Sequence, residues 1–255
     1  MVLRLPDKKS ILPRLYRDSV VHVEEISLIE EGYLWRNAQV YVKESNSMEE
    51  FLILHPPSFY WSGKSLSAYM SAQRQLTVEE FAGVLERRRS YRMHLETSVK
   101  PGYVKRFMPW LTESYTVRYF RANASTFKPS CQHRANAVQL TPKNVKRLDP
   151  SASPSFIKRL RTASVYGYVN EKGELVATSG VGWLTKKSFG VSYTETKPEY
   201  RGRGIAKCLT SLASESLIRK GLIGVYAADV TNPASMAVAE GLGFQPHRDL
   251  KCYFN

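Results

Sequence analysis

A glycine-rich segment near residue 200 has the composition of an anion-binding turn. It reads Pro198-Glu-Tyr-Arg-Gly-Arg-Gly-Ile-Ala206. Phosphate groups favour the first turn of a helix, where unpaired backbone N–H groups and the helix dipole point the same way. The two glycines leave the backbone open to such a ligand, while Arg201, Arg203 and Lys207 add positive charge. These residues therefore predict a site for a phosphate or a pyrophosphate.

The flanking sequence supplies the elements that would position this turn. Phe189 to Thr196 is rich in β-branched and aromatic residues, and it ends shortly before Pro198, which cannot donate a ladder hydrogen bond. After the turn, apolar residues recur at helical spacing until two cations and Gly221 form a typical helix end. The predicted order is therefore a strand, a glycine turn and a helix.

Glycine-rich turns that bind phosphate groups differ in sequence. A Walker loop ends in Gly-Lys-Ser/Thr, but here Ile205 follows Gly204. The dinucleotide fingerprint needs a third glycine where this chain has Lys207, and the preceding strand is too polar for a central parallel strand. A third pattern, Arg/Gln-x-x-Gly-x-Gly/Ala, is satisfied by Arg201, Gly204 and Ala206. An ordinary surface turn before a helix remains the alternative interpretation.

The remaining pattern divides the chain into two parts. Ala122 to Asn136 is polar and unpatterned, so we expect a linker there and domains at 1–125 and 126–255. The second domain is predicted to contain a strand, two short helices, three antiparallel strands, and then alternating helices and strands. The predicted strands cover 137–140, 165–170, 174–184, 189–196, 224–230 and 250–254, and further helices open after Thr141 and cover 155–162 and 232–240.

The first domain gives weaker signals. Thr77-Val-Glu-Glu80 resembles a capping box that opens a helix. Phe59-Tyr-Trp-Ser-Gly-Lys64 combines aromatic residues with a lysine, and we interpret it as the edge of a core rather than a ligand loop. The predicted helices cover 10–23, 77–88 and 101–110, and the predicted strands cover 35–43, 51–54, 91–96 and 115–121, the first two strands forming a hairpin.

Composition indicates a globular protein in a reducing compartment. Of 255 residues, 43% are hydrophobic and 24% are charged, without an apolar run of membrane-spanning length or a signal-peptide core. We expect a cytoplasmic protein, with a mitochondrial presequence as the weaker alternative. The cysteines, Cys131, Cys208 and Cys252, are odd in number and far apart, which argues against a disulfide framework or a zinc site. Cys208 is expected to pack as a small apolar side chain.

The glycine turn and the order of elements around it resemble the GNAT superfamily of N-acetyltransferases. The resemblance covers residues 136–255 and includes Asp229-x-x-Asn232-x-x-Ser235 and the Gly243-Phe244 ending. The Thr196-x-Pro-Glu-Tyr-Arg segment and the Val138-Gln-Leu-Thr start are similar to glycine N-acyltransferase-like proteins, whose first half is a degenerate copy of the second. The resemblance implies an α/β (α+β) fold with a mixed, mostly antiparallel sheet flanked by helices. It also implies a degenerate GNAT-like domain at 1–125 and a catalytic, acetyl-CoA-binding domain at 126–255.

The resemblance implies acyl-CoA as co-substrate, a primary amine as acceptor, and no metal. The amine would attack the thioester directly. Backbone groups of Thr194, Glu195 and Thr196 would line the acyl group and the pantetheine arm. Asn232, with Ser235, would bind pantetheine or order a water, although an N-cap before Pro233 is an equal alternative for Asn232. The pyrophosphate would bind at Arg201, Gly202, Arg203, Gly204, Ile205, Ala206 and Lys207.

The residues that would transfer protons match the pattern of the superfamily less well. The superfamily often has a tyrosine thiol donor where this chain has Ala239, and the glycine-acylating relatives have a base glutamate where it has Gly190. Glu195 is the best remaining base, because desolvation near the thioester would raise its pKa, but a β-bulge is needed to bring it to the correct face. Asp229 is the second candidate and could instead cap the next helix. Tyr193 or Tyr226 could donate a proton, while His247 is expected in an exposed loop.

The sequence therefore predicts an acyl-CoA-dependent N-acyltransferase, most simply an acetyltransferase. The alternative is a protein that binds CoA or another polyanion without turnover. A formal net charge of +14 would attract any polyanion, including nucleic acid, but no nucleic-acid-binding motif accompanies it. The acceptor, which could be an amino acid, a polyamine, an antibiotic or a protein amine, is left open, as is the oligomeric state.

Overall fold

The structure of the 255-residue chain, a computed structural model, describes residues 2–4, 7–31, 38–43, 50–55, 66–72, 74–87, 89–96 and 99–255. The aromatic segment at 59–64 lies outside these residues, as does all but the last residue of the polar turn predicted at 44–50 between the first two strands. In the described part of the chain, twelve strands form one mixed sheet. The strands are β1 (Val2–Arg4), β2 (Gln39–Lys43), β3 (Phe51–His55), β4 (Leu66–Ser71), β5 (Tyr91–Leu95), β6 (Glu113–Ala122), β7 (Ala137–Gln139), β8 (Val165–Val169), β9 (Leu175–Leu184), β10 (Ser188–Thr196), β11 (Ile223–Asp229) and β12 (Gln245–Phe254).

Helices connect the strands. One helix (Gln75–Gly83) joins β4 to β5, and another (Ile205–Arg219) joins β10 to β11. The connections β5–β6 and β11–β12 each contain a further helix. Short 3-10 turns occur at Lys8–Ile11, Tyr16–Asp18, Arg134–Asn136 and Pro198–Tyr200. The α-helices are α1 (Leu12–Leu15), α2 (Val23–Glu31), α3 (Gln75–Gly83), α4 (Pro101–Phe107), α5 (Val145–Leu148), α6 (Pro154–Arg159), α7 (Ile205–Arg219) and α8 (Pro233–Gly241).

The pairing pattern on one side of the sheet repeats on the other. β1 to β5 pair in order and are followed by β12, while β7 to β11 pair in order and are followed by β6. In each series the fourth and fifth strands are parallel, and the other neighbours are antiparallel. The series meet where β6 pairs with β12. Each part of the chain thus places its last strand on the other part's side of the sheet.

The β6–β12 pair at the centre of the sheet is fixed by polar and apolar contacts. Arg118 on β6 donates two hydrogen bonds of 2.8 Å to the carboxylate of Asp249 on β12. Such a bidentate pair defines a geometry as well as a charge contact. Val117 and Leu250, which are register partners, are buried in the core. These contacts set the register between the two series of strands.

Helix α2 belongs to the first part of the chain but packs on strands of the second. Ser27 accepts a hydrogen bond of 3.2 Å from the backbone N–H of Leu184 at the end of β9. Ile26 is fully buried in one apolar cluster with Trp183 and Val225. The first turn of α2 is therefore held against the region where β9, β10 and β11 lie side by side.

Several predicted helix starts are wrong because other groups satisfy the backbone. The predicted helix at 10–23 is interrupted, since Asp18 accepts hydrogen bonds from the N–H groups of Val20 and Val21, and the longer helix α2 begins only at Val23. Thr77 is not an N-cap. The helix starts at Gln75 and ends at Gly83, and the Thr77 hydroxyl donates to Glu50 from a distant part of the chain.

Other boundaries also differ from the prediction. Thr141 and Asn144 hydrogen-bond each other's backbone N–H groups, so α5 begins at Val145 rather than directly after Thr141. The sequence analysis missed β1 and β4. The latter reads Leu-Ser-Ala-Tyr-Met-Ser and contains no β-branched residue, yet four of its six positions are buried. Its strand conformation comes from pairing between β3 and β5 rather than from local propensity.

The expectation about the cysteines is corrected by the structure. Cys131 forms a disulfide with Cys208 across 77 residues of sequence, and Cys252 is a free, buried cysteine. The segment that contains Cys131 crosses α7, where Ser130 N–H donates to Ser211 Oγ at 3.0 Å. The spacing of the cysteines along the chain could not reveal this contact, because the contact depends on how the predicted linker packs against α7.

A buried carboxyl on α2 makes stability depend on pH. Burial, reinforced by the neighbouring Glu24, raises the pKa of Glu25 to about 8 from its usual 4.5. The folded state therefore binds more protons than the unfolded state between these values, so stability falls as pH rises through this range. Burial lowers the pKa of His22 to about 3 and of His94 to about 4, which opposes this trend below about pH 7.5.

We therefore expect the free energy of unfolding to fall by about 1.5 kcal/mol between pH 6.5 and 8 because of Glu25. Urea unfolding at both pH values should show the same pH dependence, which includes this loss and the opposing effect of the histidines, in the wild-type protein and in Glu79→Gln, whose side chain is exposed on α3. Glu25→Gln cannot ionise and should remove most of it. An unchanged pH dependence in Glu25→Gln would contradict this assignment.

Candidate active site

Strands β10 and β11 separate at the centre of the second series. They pair in parallel only from Ser188–Gly190 to Ile223–Val225, although β10 continues to Thr196 and β11 to Asp229. On its other edge, β10 has register shifts against β9 between Gly190 and Val191 and between Ser192 and Glu195. The β-bulge that the sequence analysis required near Glu195 is therefore present. Beyond Gly190, the edge of β10 that faces β11 is open.

Tyr193 lies in this bulge with a φ of +58°, the one described non-glycine residue with a positive φ. A bulky residue in the left-handed region is strained, and such strain is concentrated at functional sites. Tyr193 O accepts a hydrogen bond of 2.7 Å from Thr178 Oγ1, and Thr194 Oγ1 lies 2.9 Å from Ser179 Oγ. These contacts to β9 hold the bulge in place.

The glycine turn has the backbone geometry of an anion site. Gly202 and Gly204 have φ values of +74° and +76°, and a Cβ on either would meet no atom within 4 Å. Gly204 directly precedes α7, whose first N–H groups have no partner within the helix, and the first-turn residues Ile205 to Lys207 line a cavity described below. Two arginine side chains stabilise the turn by donating hydrogen bonds to backbone carbonyl groups. Arg201 donates to Thr196 O at 3.0 Å, and Arg203 donates to Glu199 O at 2.8 Å.

Asn232 is the N-cap of α8, and its side chain accepts a hydrogen bond of 3.0 Å from Ser235 N–H. The capping alternative is thus realised, while Asn232 still lines the cavities described below. Ser235 Oγ lies 3.1 Å from the hydroxyl of Tyr226 on β11. Burial raises the pKa of Tyr226, although hydrogen bonds with Ser235 and Thr194 act in the opposite direction. Tyr226 therefore keeps its proton at neutral pH.

Two adjoining cavities occupy this region. The first, here called the loop cavity, has a volume of about 980 Å³ and is lined by the glycine turn, the end of β10 and α8. The second, here called the central cavity, has a volume of about 1260 Å³ and is lined by residues from both parts of the chain. The residues that line both include Thr194, Glu195, Tyr226, Asn232 and Ser235. The cavities therefore meet at the separation of β10 and β11.

The residue at position 190 is explained by packing. Gly190 pairs with Trp183 across β9 and β10, and a Cβ on Gly190 would lie 2.8 Å from Cδ1 of that indole. The Trp183 side chain is buried and lines the central cavity, with the Arg159 guanidinium 5.8 Å from its ring centroid. The indole thus occupies the place of a side chain at 190. Similarly, Ala239 is fully buried in the core under α8, where a tyrosine would not fit without rearrangement.

The exposure and hydrogen bonds of the predicted acid–base residues bear on whether they could transfer protons. Glu195 lines both cavities but is exposed, so the desolvation on which its selection depended is absent. Asp229 accepts hydrogen bonds of 2.8 Å from Thr231 N–H and Oγ, which hold it in a local turn before α8. His247 is not in an exposed loop. It lies on β12, with Nε2 3.0 Å from the Asp18 carboxylate.

Sequence reasoning gave no role to residues that α2 brings to the central cavity. Val21, Val23 and Glu24 line this cavity together with residues of β10 and β11. No motif marks them, because their position depends on how α2 packs against β9 and β10. Among the described residues, no group of three or more His, Cys, Asp or Glu side chains could hold a metal ion. No helix in the described ranges has the length and apolar character needed to cross a membrane.

Comparison with solved structures identifies the class of fold. A Drosophila protein matches with a TM-score of 0.69 at 13% identity, covering 99% of this chain and 97% of its own. A GCN5-related N-acetyltransferase-like protein from Streptococcus suis gives 0.61 at 15% identity, covering 96% and 97%. A tandem GNAT protein from the clavulanic acid biosynthesis pathway gives 0.60 at 12% identity, covering 100% and 98%. The chain therefore has the GNAT fold, with a mixed sheet flanked by helices.

The sequence comparison gives a match over part of the chain. Residues 163–253 match the profile of the GNAT acetyltransferase family. The matched range contains the bulge, the glycine turn, α7 and α8. A search of curated protein sequences gives no match. None of these comparisons distinguishes the glycine N-acyltransferase-like branch from other branches.

Proposed function

We propose that the protein is an acyl-CoA-dependent N-acyltransferase that moves an acetyl group from CoA to a primary amine. The observation that carries this proposal is the continuity of the two cavities, from the glycine turn to the open edge of β10. A CoA molecule needs such a path, because its pyrophosphate and its thioester lie at opposite ends of the pantetheine arm. The amine would enter from the central cavity.

The chemistry of the lining residues fits acyl-CoA. Backbone N–H groups at the start of α7, with Arg201, Arg203 and Lys207 nearby, would bind the pyrophosphate. Thr196 Oγ1 is buried and has no hydrogen-bond partner among the described residues, so it offers a polar contact to the pantetheine amides. The open edge of β10 beyond Gly190 supplies backbone N–H groups that could polarise the thioester carbonyl.

Tyr226 is the proposed proton donor to the leaving thiolate. It lies on β11 at the junction of the two cavities, and its hydroxyl is protonated at neutral pH for the reasons given above. It would replace the tyrosine that the superfamily often places at position 239, where this chain has a buried alanine. The proton moves from Tyr226 Oη to the CoA sulfur as the C–S bond breaks, and solvent then reprotonates the tyrosine.

We further propose that the halves at 1–125 and 126–255 are a degenerate and a CoA-binding copy of one unit. The repeated pairing pattern supports this proposal, and the glycine turn occurs only in the second copy. A relation to the glycine N-acyltransferase-like branch is supported by sequence similarity around Thr196 and Val138. Glycine itself is a less favoured acceptor, because Trp183 covers the position of that branch's base.

The proposal is tested by calorimetry with acetyl-CoA, followed by thiol release in the presence of an amine panel. We expect micromolar binding and transfer to at least one amine. Tyr226→Phe should leave the acetyl-CoA Kd unchanged and lower kcat by about 100-fold, whereas Tyr166→Phe, on β8, should have no effect. Absence of binding would refute the proposal. Binding without any transfer would instead support the second candidate, a CoA-binding protein without turnover, which the residues at 190 and 239 favour.

A further inference from the structure

A disulfide joins the linker segment, residues 122–136, to helix α7 close to the glycine turn. Cys131 of this segment is bonded to Cys208, and the backbone N–H of Cys208 donates to Gly204 O at 3.1 Å. Cys208 therefore lies one helical turn beyond the last glycine of the glycine turn. The disulfide thus connects the linker segment to the helix whose first residues line the loop cavity.

His133, two residues beyond Cys131, contacts the glycine turn directly. Its Nε2 lies 2.7 Å from the backbone carbonyl oxygen of Arg203. Because a carbonyl oxygen can only accept, the imidazole donates this hydrogen bond. The imidazole ring also lies edge-on to the ring of Tyr168 on β8, with the two centroids 5.7 Å apart. His133 is therefore held between β8 and the glycine turn.

This contact bears on phosphate binding, because Arg203 and Gly204 line the loop cavity and His133 does not. A carbonyl oxygen that faces a phosphate repels it, and the hydrogen bond engages the Arg203 oxygen with a donor outside the cavity. The C=O and N–H of a trans peptide point in opposite directions, so the same contact fixes the direction of the Gly204 N–H. His133 thus orients one peptide group of the turn that we assign to the pyrophosphate.

We infer that His133 is a positioning residue for the pyrophosphate turn, and that the Cys131–Cys208 disulfide makes acyl-CoA affinity sensitive to thiols by keeping His133 in place. This inference rests on the proposed function and deepens it, since it names a regulation of the same site. The disulfide holds the linker segment on α7 and keeps His133 within reach of Arg203. After reduction, noncovalent contacts alone hold the segment, so ordering the turn consumes part of the binding free energy.

The proposed redox step begins at the more accessible cysteine. Cys131 is half-buried, whereas Cys208 is 1% exposed. The reductant is a low-molecular-weight thiol, whose thiolate attacks the Cys131 sulfur and releases the Cys208 thiolate. A second thiol attacks the resulting mixed disulfide and releases Cys131. The products are two protein thiols and one disulfide of the small molecule, so two electrons and two protons pass to the protein.

Calorimetry with acetyl-CoA tests the effect of the disulfide. Protein oxidised with glutathione disulfide is compared with protein reduced by dithiothreitol and desalted without oxygen, and mass spectrometry of the oxidised form should find the Cys131–Cys208 bond and a free Cys252. We expect reduction to raise the Kd about five- to tenfold. Cys131→Ser should have the raised Kd under both conditions, whereas Cys252→Ala, the matched control, should respond like the wild-type protein. An equal Kd in both wild-type forms, or no such bond after oxidation, would overturn the inference.

The positioning role of His133 is tested in the oxidised protein. His133→Ala should raise the acetyl-CoA Kd about five- to tenfold, and in the transfer assay it should raise KM for acetyl-CoA with kcat unchanged, because the contact lies at the pyrophosphate end. His133→Gln, which keeps a donor, should recover part of the affinity. Gln132→Ala removes the exposed neighbouring side chain and should bind like the wild-type protein. An unchanged Kd in His133→Ala, or an equal effect of Gln132→Ala, would contradict the positioning role.

Thermodynamic linkage gives a test that does not depend on catalysis. If the disulfide strengthens acetyl-CoA binding, saturating acetyl-CoA must oppose reduction of the disulfide by the same factor. In glutathione buffers of varied ratio, the equilibrium constant for reduction should therefore fall by the ratio of the two Kd values. A constant that acetyl-CoA leaves unchanged would rule out the coupling. Failure of both the oxidised and the reduced wild-type protein to bind acetyl-CoA would instead refute the proposed function itself.

Discussion

Gly243→Ala is expected to destabilise the protein by more than about 3 kcal/mol, or to prevent folding. Gly243 ends α8 with a φ of +78°, and a Cβ there would lie 2.0 Å from the carbonyl oxygen of Thr126. The colliding atom is backbone, and it belongs to the segment that hydrogen-bonds to Leu242 O through Lys128 N–H at 2.8 Å. The substitution would therefore add left-handed strain and displace this segment from the end of α8.

Gly221→Ala provides the matched control for this change. Gly221 also follows a helix, α7, with a φ of +86°, but a Cβ there meets no atom within 4 Å. We expect a cost of only about 1 kcal/mol, which reports the strain alone. Urea unfolding of both variants measures the difference. Equal losses at the two positions would show that the close approach to Thr126 is not limiting.

Gly204→Ala is expected to weaken acetyl-CoA binding by about 10- to 100-fold. Its φ of +76° carries the same strain as that of Gly221, and both glycines have open space beside them. At Gly204, however, that space belongs to the loop cavity, which we assign to the pyrophosphate. A methyl group there would hold the phosphates away from the N–H groups at the start of α7, and each lost charge-assisted hydrogen bond is worth about 1.5–3 kcal/mol.

Gly221→Ala again serves as the control, since it lies at the opposite end of the same helix. The two variants should lose similar stability in urea, but only Gly204→Ala should lose affinity in calorimetry. If Gly221→Ala bound acetyl-CoA as weakly as Gly204→Ala, the affinity loss would reflect helix distortion rather than a blocked phosphate site.

Local signals were sufficient for the elements around the glycine turn. Gly221 has the positive φ that its predicted position at a helix end indicates. The strand, turn and helix around Gly204 have the predicted order, with β10 at Ser188–Thr196 and α7 at Ile205–Arg219. In these elements, the conformation follows from residues close together in sequence, so the sequence analysis succeeded.

Features that depend on distant residues were not predictable. The start of α3 depends on Glu50, which is distant in sequence. Glu50 accepts hydrogen bonds from Arg74 N–H and Thr77 Oγ1. The Cys131–Cys208 disulfide depends on a segment crossing a helix. The lining of the central cavity by Glu24 depends on α2 packing across β9 and β10. Such contacts are set by tertiary packing, and no pattern within a single segment of sequence encodes them.

The exchange of β6 and β12 also constrains the order in which the chain can fold during synthesis. On the ribosome, β5 is made early, but its neighbour β12 is made only when residues 245–254 emerge. Until then, one edge of β5 and one edge of β6 have no partner strand, and unpaired edges favour association with other chains. The part of the sheet that β1 to β5 form is thus completed last, when β12 pairs with β5 and β6.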